Sequence, residues 1–170
     1  MLEHLQTQAN DMSHIVEDLL VAARADIGSV SIDAGPIELA DIVSETAANM
    51  ASGFSVHLGA DPIVAADRVR VGQILRNLVT NATRYGGDER SIHVYATDSA
   101  GIVEVRDDGT GIPFEERERI FEPYTRAHDR PGMTASVGLG LAVSRQLAEL
   151  MGGNLDYHGD RGRSVFRLTL

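Results

Sequence analysis

Asn77 and Asn81 stand one helical turn apart in the stretch Gln-Ile-Leu-Arg-Asn-Leu-Val-Thr-Asn-Ala-Thr-Arg-Tyr, which closes on Arg84 and Tyr85. Asparagine is a weak helix former because its amide competes for backbone hydrogen bonds. Two of them in mid-helix therefore cost stability unless a ligand uses them. A neutral carboxamide oxygen suits a Mg2+ ion that also carries substrate phosphates, and an arginine one turn on can meet those phosphates. An ordinary solvated helix face explains the same residues, and this helix alone does not decide between the two.

A second group lies in Val103-Glu-Val-Arg-Asp107-Asp108-Gly109-Thr-Gly111-Ile112-Pro113, an apolar strand that runs into an acidic, glycine-rich turn. A carboxylate at the end of a buried strand is expensive without a donor. An adenine exocyclic amine is such a donor, whereas guanine presents an acceptor at the same place. Gly109 and Gly111 leave room there for a flat base, although Asp-Gly is also common in plain turns. The third group is Gly138-Leu139-Gly140-Leu141, directly ahead of a stretch with apolar residues at helical spacing. Unpaired N–H groups and the positive end of the macrodipole at a helix start favour an anion, and glycine lets it approach closely. Glycine at a helix boundary is more often simple punctuation.

These residues need elements to hold them. Residues 2–25 carry Leu5, Met12, Ile15, Val16, Leu19, Leu20 and Ala23 at spacings of three and four, which predicts one long amphipathic helix able to pair with a partner helix. A short strand at 36–39, a helix at 40–51, and strands at 54–58 and 62–66 follow. Asp67 is a good N-cap for a helix reaching about Tyr85, where Gly86-Gly87 ends it, with Val69, Ile74, Leu75, Leu78, Val79 and Ala82 as its buried stripe. Strands at 91–97 and 102–106 form a hairpin, a short helix runs from Pro113 to Ile120, and an irregular stretch spans 123–137. The glycine-started helix, with apolar Leu141, Ala142, Leu147, Ala148 and Met151, precedes two closing strands at 154–158 and 164–170. The expectation is an α+β, two-layer sandwich: a mixed, mostly antiparallel sheet covered on one face by helices.

With 15 Lys+Arg against 25 Asp+Glu, the formal charge of -10 argues against non-specific binding to nucleic acid or to an anionic membrane. Every basic side chain is arginine, so a P-loop lysine is excluded. There is no cysteine, and no apolar run approaches the ~18 residues needed to span a bilayer. A cytoplasmic location is expected, either for the chain itself or for the cytoplasmic part of a membrane-bound sensor.

Taken in order, N-x-x-x-N, D-x-G-x-G, Phe-Glu-Pro-Tyr-Thr-Arg at 121–126 and Gly-Leu-Gly-Leu at 138–141 resemble the N, G1, F and G2 boxes of bacterial sensor histidine kinases. The match is to their catalytic ATP-binding domain, which has the Bergerat fold shared with gyrase, mismatch-repair and chaperone ATPases. The resemblance implies ATP and Mg2+ as ligands, a catalytic domain over 29–170, and over 1–28 the second helix of a dimerisation and phosphoacceptor hairpin. It implies that Asn81 ligates Mg2+, that Asn77 helps hold the phosphates or metal, and that Asp107 binds the adenine amine, with Arg84 placed to meet the phosphates. Gly109, Gly111, Ile112 and Tyr85 would shape the base pocket. Phe121 would anchor a lid over 124–137 that includes Tyr124 and Arg126, and Gly138, Leu139, Gly140 and Leu141 would approach the phosphates. Ser136-Val137 stand where the family usually has Gly-Thr.

The implied activity is transfer of the ATP γ-phosphate to a histidine outside this chain, because neither His4 nor His14 is followed by the phosphoacceptor pattern. Implied partners are a histidine-bearing hairpin, either preceding this segment or on a separate protein, a downstream response regulator, and a second copy paired through the first helix. Two alternatives stand beside this: a degenerate nucleotide-binding regulatory module, and an ATP-hydrolysing conformational switch. The switch pattern has a glutamate general base where this chain has Asn77, whose carboxamide cannot accept a proton.

Overall fold

The computed structural model describes residues 16, 19, 30–60, 62–125, 138–160 and 163–170. The chain runs β1 (Gly35–Glu38), α1 (Leu39–Met50), β2 (Phe54–Leu58), β3 (Ile63–Ala66), α2 (Arg68–Tyr85), β4 (Arg90–Ala96) and β5 (Gly101–Asp107). Two 3-10 turns (Phe114–Glu116 and Arg119–Phe121) lead on to α3 (Gly140–Leu150), β6 (Asn154–Asp160) and β7 (Arg163–Thr169). One sheet has five strands in the order β2-β4-β5-β7-β6, with β2 and β4 parallel and the other pairs antiparallel. This is the expected mixed sheet under helices. The strands at 36–39 and 62–66 do not join it: β1 and β3 pair with each other in a separate two-stranded ribbon.

Alternation divides the sheet into two unlike faces. Ile92 and Val94 of β4, Val103 and Val105 of β5, Leu155 of β6 and Leu168 of β7 are all buried, and they form one core with Leu39, Ile74, Leu75, Leu78 and Leu147 from the helices. The opposite face carries a polar row across all five strands: His57, His93, Glu104, Arg167 and Asp156. The His57 and His93 rings stack at 4.4 Å. Glu104 is only 1% exposed on this face, which no helix among the described residues covers, because Tyr95, Arg106 and Arg167 close over it.

Helix α2 starts where its cap predicts. Asp67 accepts the N–H groups of Val69 (2.9 Å) and Arg70 (3.2 Å), and its other oxygen takes the Asp33 N–H at 3.0 Å. Ile74, Leu75, Leu78, Val79 and Ala82 are buried as expected, but Val69 is 69% exposed. The stripe begins instead at Val71, because at about 100° per residue Val69 lies on the opposite side of the helix from Val71 and Leu78. In α3 the buried face is Val143, Ser144, Leu147 and Ala148, while Leu141 and Ala142 are half-buried. The expected helix at 113–120 resolves into the two 3-10 turns, too short to bury a continuous stripe. The predicted helix over 2–25 lies outside the described residues apart from Val16 and Leu19, both helical and exposed. Arg126, Ser136 and Val137 also lie outside them, as does all of the 124–137 segment except Tyr124 and Thr125.

Candidate functional site

Helix α2 is the common floor on which the separated motifs meet. Halfway along it, the Asn77 Nδ2 group donates to the Gly140 carbonyl at 3.2 Å and to Ser144 Oγ at 3.1 Å, fixing the first turn of α3 against α2. The Asn77 amide nitrogen is therefore occupied, and its Oδ1 is the atom left for a ligand. Asn81, one turn further, is half-buried, and its carboxamide has no hydrogen-bond partner among the described residues. Arg84 is half-buried and engaged with its neighbours, and Tyr85 is 41% exposed at the helix end. Gln73, on the same row in sequence, is buried beside Arg70, so the polar row leaves the core and reaches solvent as it runs along the helix.

At the far end of α2 the chain turns at Gly86, whose N–H donates to the Ala82 carbonyl at 3.0 Å. A Cβ on Gly86 would lie 2.3 Å from that carbonyl oxygen and 2.8 Å from Asp107 Cβ, so glycine is required for β5 to bring Asp107 against the helix end. At Gly109 a Cβ would meet the Tyr85 carbonyl at 2.7 Å and Asp107 Oδ1 at 2.8 Å, so glycine lets the turn pack against the end of α2. Gly111 is glycine for a different reason, its φ of +71°. Ile112 beside it is half-buried, and its N–H donates to Tyr157 Oη at 2.9 Å.

Asp107 is buried, with Oδ1 accepting the Gly109 N–H at 2.9 Å. Burial pushes its carboxyl above the usual aspartate range and the Asp108 charge adds to this, while the Gly109 N–H, the Ser164 hydroxyl and the Arg90 charge oppose it without cancelling it. This is a buried carboxylate whose donors do not offset its desolvation. Ser164 and Tyr157, both buried, were not legible in the sequence. Ser164 faces Asp107 only through the β5–β7 register, and Tyr157 reads simply as an inward strand position.

The chain on either side of residues 126–137 is drawn together. The Tyr124 N–H donates to the Gly138 carbonyl at 2.9 Å, and both residues take positive φ, 63° and 73°. A Cβ on Gly138 would sit 2.9 Å from the Thr125 carbonyl, so this closure also needs glycine. Leu139 is buried, Leu141 is half-buried, and α3 begins at Gly140 with no side-chain cap. Phe121 is buried edge-on to Phe166 at 6.5 Å beneath the Arg145 guanidinium, 3.7 Å above its ring. Arg145 also donates to the Leu155 carbonyl at 2.9 Å and Glu118 at 3.0 Å, tying the segment before Tyr124 to α3 and β6.

The convergence of these blocks agrees with what comparison finds. Residues 66–170 match the family described as histidine kinase-, DNA gyrase B-, and HSP90-like ATPase. This chain belongs to that family. As a member it is an ATP-binding domain of the kind that sensor histidine kinases carry. It is 31% identical over its full length to the adaptive-response sensory kinase SasA of Thermosynechococcus vestitus, of which it spans 48%. Among solved structures, histidine kinase AdeS of Acinetobacter baumannii shares the fold (TM-score 0.79, 23% identity, 99% of this chain and 82% of that one). Full-length ShkA in complex with AMPPNP also superposes (TM-score 0.76, 25% identity, 95% of this chain and 36% of that one). The chain thus spans about half the length of the curated relative. No helix among the described residues is long and apolar enough to cross a membrane.

Proposed function

We propose that this domain binds Mg-ATP between α2 and the start of α3 and passes the γ-phosphate to a histidine outside the chain, as the catalytic part of a two-component sensor kinase. The observation that carries the proposal is the convergence on α2. A donor-poor carboxylate, Asp107, stands at one end, the unpartnered carboxamide of Asn81 lies between, and the glycine-started helix α3 is held at Asn77. Each matches one part of ATP. Asp107 accepts the adenine amine, with Ile112, Gly111 and Tyr85 around the base, and the N–H groups of the first turn of α3 meet phosphate oxygens. Arg84 adds positive charge on the phosphate side.

Asn81 Oδ1 fits a hard cation, since it is a neutral oxygen donor without a described protein partner. Mg2+ bound there would neutralise charge on the phosphates and leave positioning as the domain's main contribution. Asn77 favours transfer over hydrolysis: it holds α3 through Nδ2, and its carboxamide offers no base to activate water. The phosphoacceptor hairpin, a response regulator, pairing through residues 1–28 and action in the cytoplasm follow from the same reading.

The test is nucleotide binding with and without Mg2+, followed by 32P transfer to a histidine-bearing hairpin supplied in trans. Saturable Mg-dependent ATP binding, slow hydrolysis alone and transfer to the hairpin are expected. Rapid steady-state hydrolysis without any partner would instead establish the conformational switch, and absence of saturable binding would establish a degenerate module. Asn81→Ala should abolish the Mg2+ dependence.

A further inference from the structure

Behind Asp107 runs a chain of hydrogen bonds whose direction is set by one backbone group. The Ile112 N–H can only donate, and it donates to Tyr157 Oη at 2.9 Å. The phenol's single proton therefore points elsewhere, to Ser164 Oγ at 3.3 Å. Ser164 is the β5–β7 pairing partner of Asp107, and with the phenol's proton on its oxygen its own proton is free to turn to the Asp107 carboxylate. The Gly109 N–H reaches the same carboxylate at 2.9 Å. The Gly109 N–H can only donate to Asp107, and the Ser164 hydroxyl donates to it as well when its proton is turned that way. Asp108 and Arg90 act on it only through their charges.

Tyr157 is well fixed for this role. Its ring is buried, edge-on to Phe166 at 5.1 Å and under the Arg117 guanidinium at 5.6 Å. Its hydroxyl lies 3.6 Å from where a Gly111 Cβ would stand, directly beneath the glycine turn. Packing rather than hydrogen bonding holds the ring, so the hydroxyl can be removed without moving it.

We propose that Tyr157 is a positioning residue for base selection: by accepting from Ile112 and donating to Ser164, it orients the Ser164 hydroxyl toward Asp107 and keeps Asp107 an acceptor for a 6-amino purine. A 6-oxo purine presents an acceptor to that carboxylate and is rejected. The inference rests on the reading of Asp107 as the adenine partner.

The test is ADP and IDP affinity, a 6-amino and 6-oxo pair, measured on the 170-residue chain and on Tyr157→Phe, Ser164→Ala, the double variant and Asp107→Asn. Tyr157→Phe should narrow the ADP-over-IDP preference about tenfold, the scale of one oriented hydrogen bond. It should narrow it little further in the Ser164→Ala background, because the effect travels through Ser164. A purely structural tyrosine would weaken ADP and IDP together, or only lower the Tm, and an unchanged preference in Tyr157→Phe overturns the inference. So does a narrowing of equal size in both backgrounds. If Asp107→Asn keeps the full preference, the adenine reading itself fails; if Asp107→Asn loses it while Tyr157→Phe keeps it, only the role of Tyr157 fails.

Discussion

Glu104 and Asp107 are buried carboxylates three residues apart on β5, and the odd spacing sends them to opposite faces of one strand. Glu104 sits on the face away from the core under Tyr95 Oη at 3.0 Å, Arg167 Nε at 2.7 Å and Arg106 Nε at 2.8 Å. Burial alone would raise its pKa, but the hydrogen bonds from Arg106, Arg167 and Tyr95 overcome that and hold it below the usual glutamate range. Asp107 lies on the helix-covered face with a backbone N–H and a serine, and burial wins there. Similar burial thus gives opposite outcomes. Two arginines and a tyrosine hold the charge of Glu104, whereas one backbone N–H and one serine leave that of Asp107 less compensated, as a group that binds a donor ligand requires.

Exchanging charge for amide at each position should separate the two roles. Glu104→Gln leaves Arg106 and Arg167, themselves 37% and 39% exposed, without their anion. Unfolding free energy should fall by about 2 kcal/mol with nucleotide affinity unchanged, as denaturant titration and ATP binding would show. Asp107→Asn should do the reverse. It relieves an uncompensated buried charge, so Tm should hold or rise, while ATP affinity falls by about tenfold or more because the amide presents a donor to the adenine amine.

Acid should reveal the same contrast. Asp107, with its raised pKa, is the first of the pair to protonate as pH falls, so ATP affinity should drop while the fold persists. Its protonation also favours the folded state, since the folded pKa exceeds the unfolded one. Glu104, with its lowered pKa, contributes stability above its unfolded value and loses it only as pH falls through the lower folded value. ATP titrations and circular dichroism over the same descending pH series should show binding lost first; simultaneous loss would remove the distinction. The smallest effect belongs to Val69→Ala, within about 0.5 kcal/mol because the side chain is 69% exposed, whereas Ile74→Ala on the same helix should cost about 2–5 kcal/mol.

Much of the fold could be read along the chain because its signals are local. The Asp67 cap, the glycines after Tyr85 and the alternation in β2, β4, β5 and β7 place their elements to within one or two residues. What could not be read was pairing. The β1–β3 ribbon differs from a sheet strand only in its partner. The site divides in the same way: Asn77, Asn81, Asp107 and the glycine pair announce themselves by type and spacing. Ser164 and Tyr157 are an ordinary serine and tyrosine until the β5–β7 and β6–β7 registers bring them behind Asp107.

By itself the amino-acid sequence determined which groups could meet a purine, a metal and a phosphate, and which helices and strands would carry them, because residue type and period act over a few neighbours. The tertiary structure alone decided that Asn77 spends its amide on α3, that the space at Gly109 is filled by the end of α2, and that Asp107 rather than Glu104 is left wanting a donor. Those outcomes depend on desolvation and on partners tens of residues away, and only the packed sheet and helices supply either.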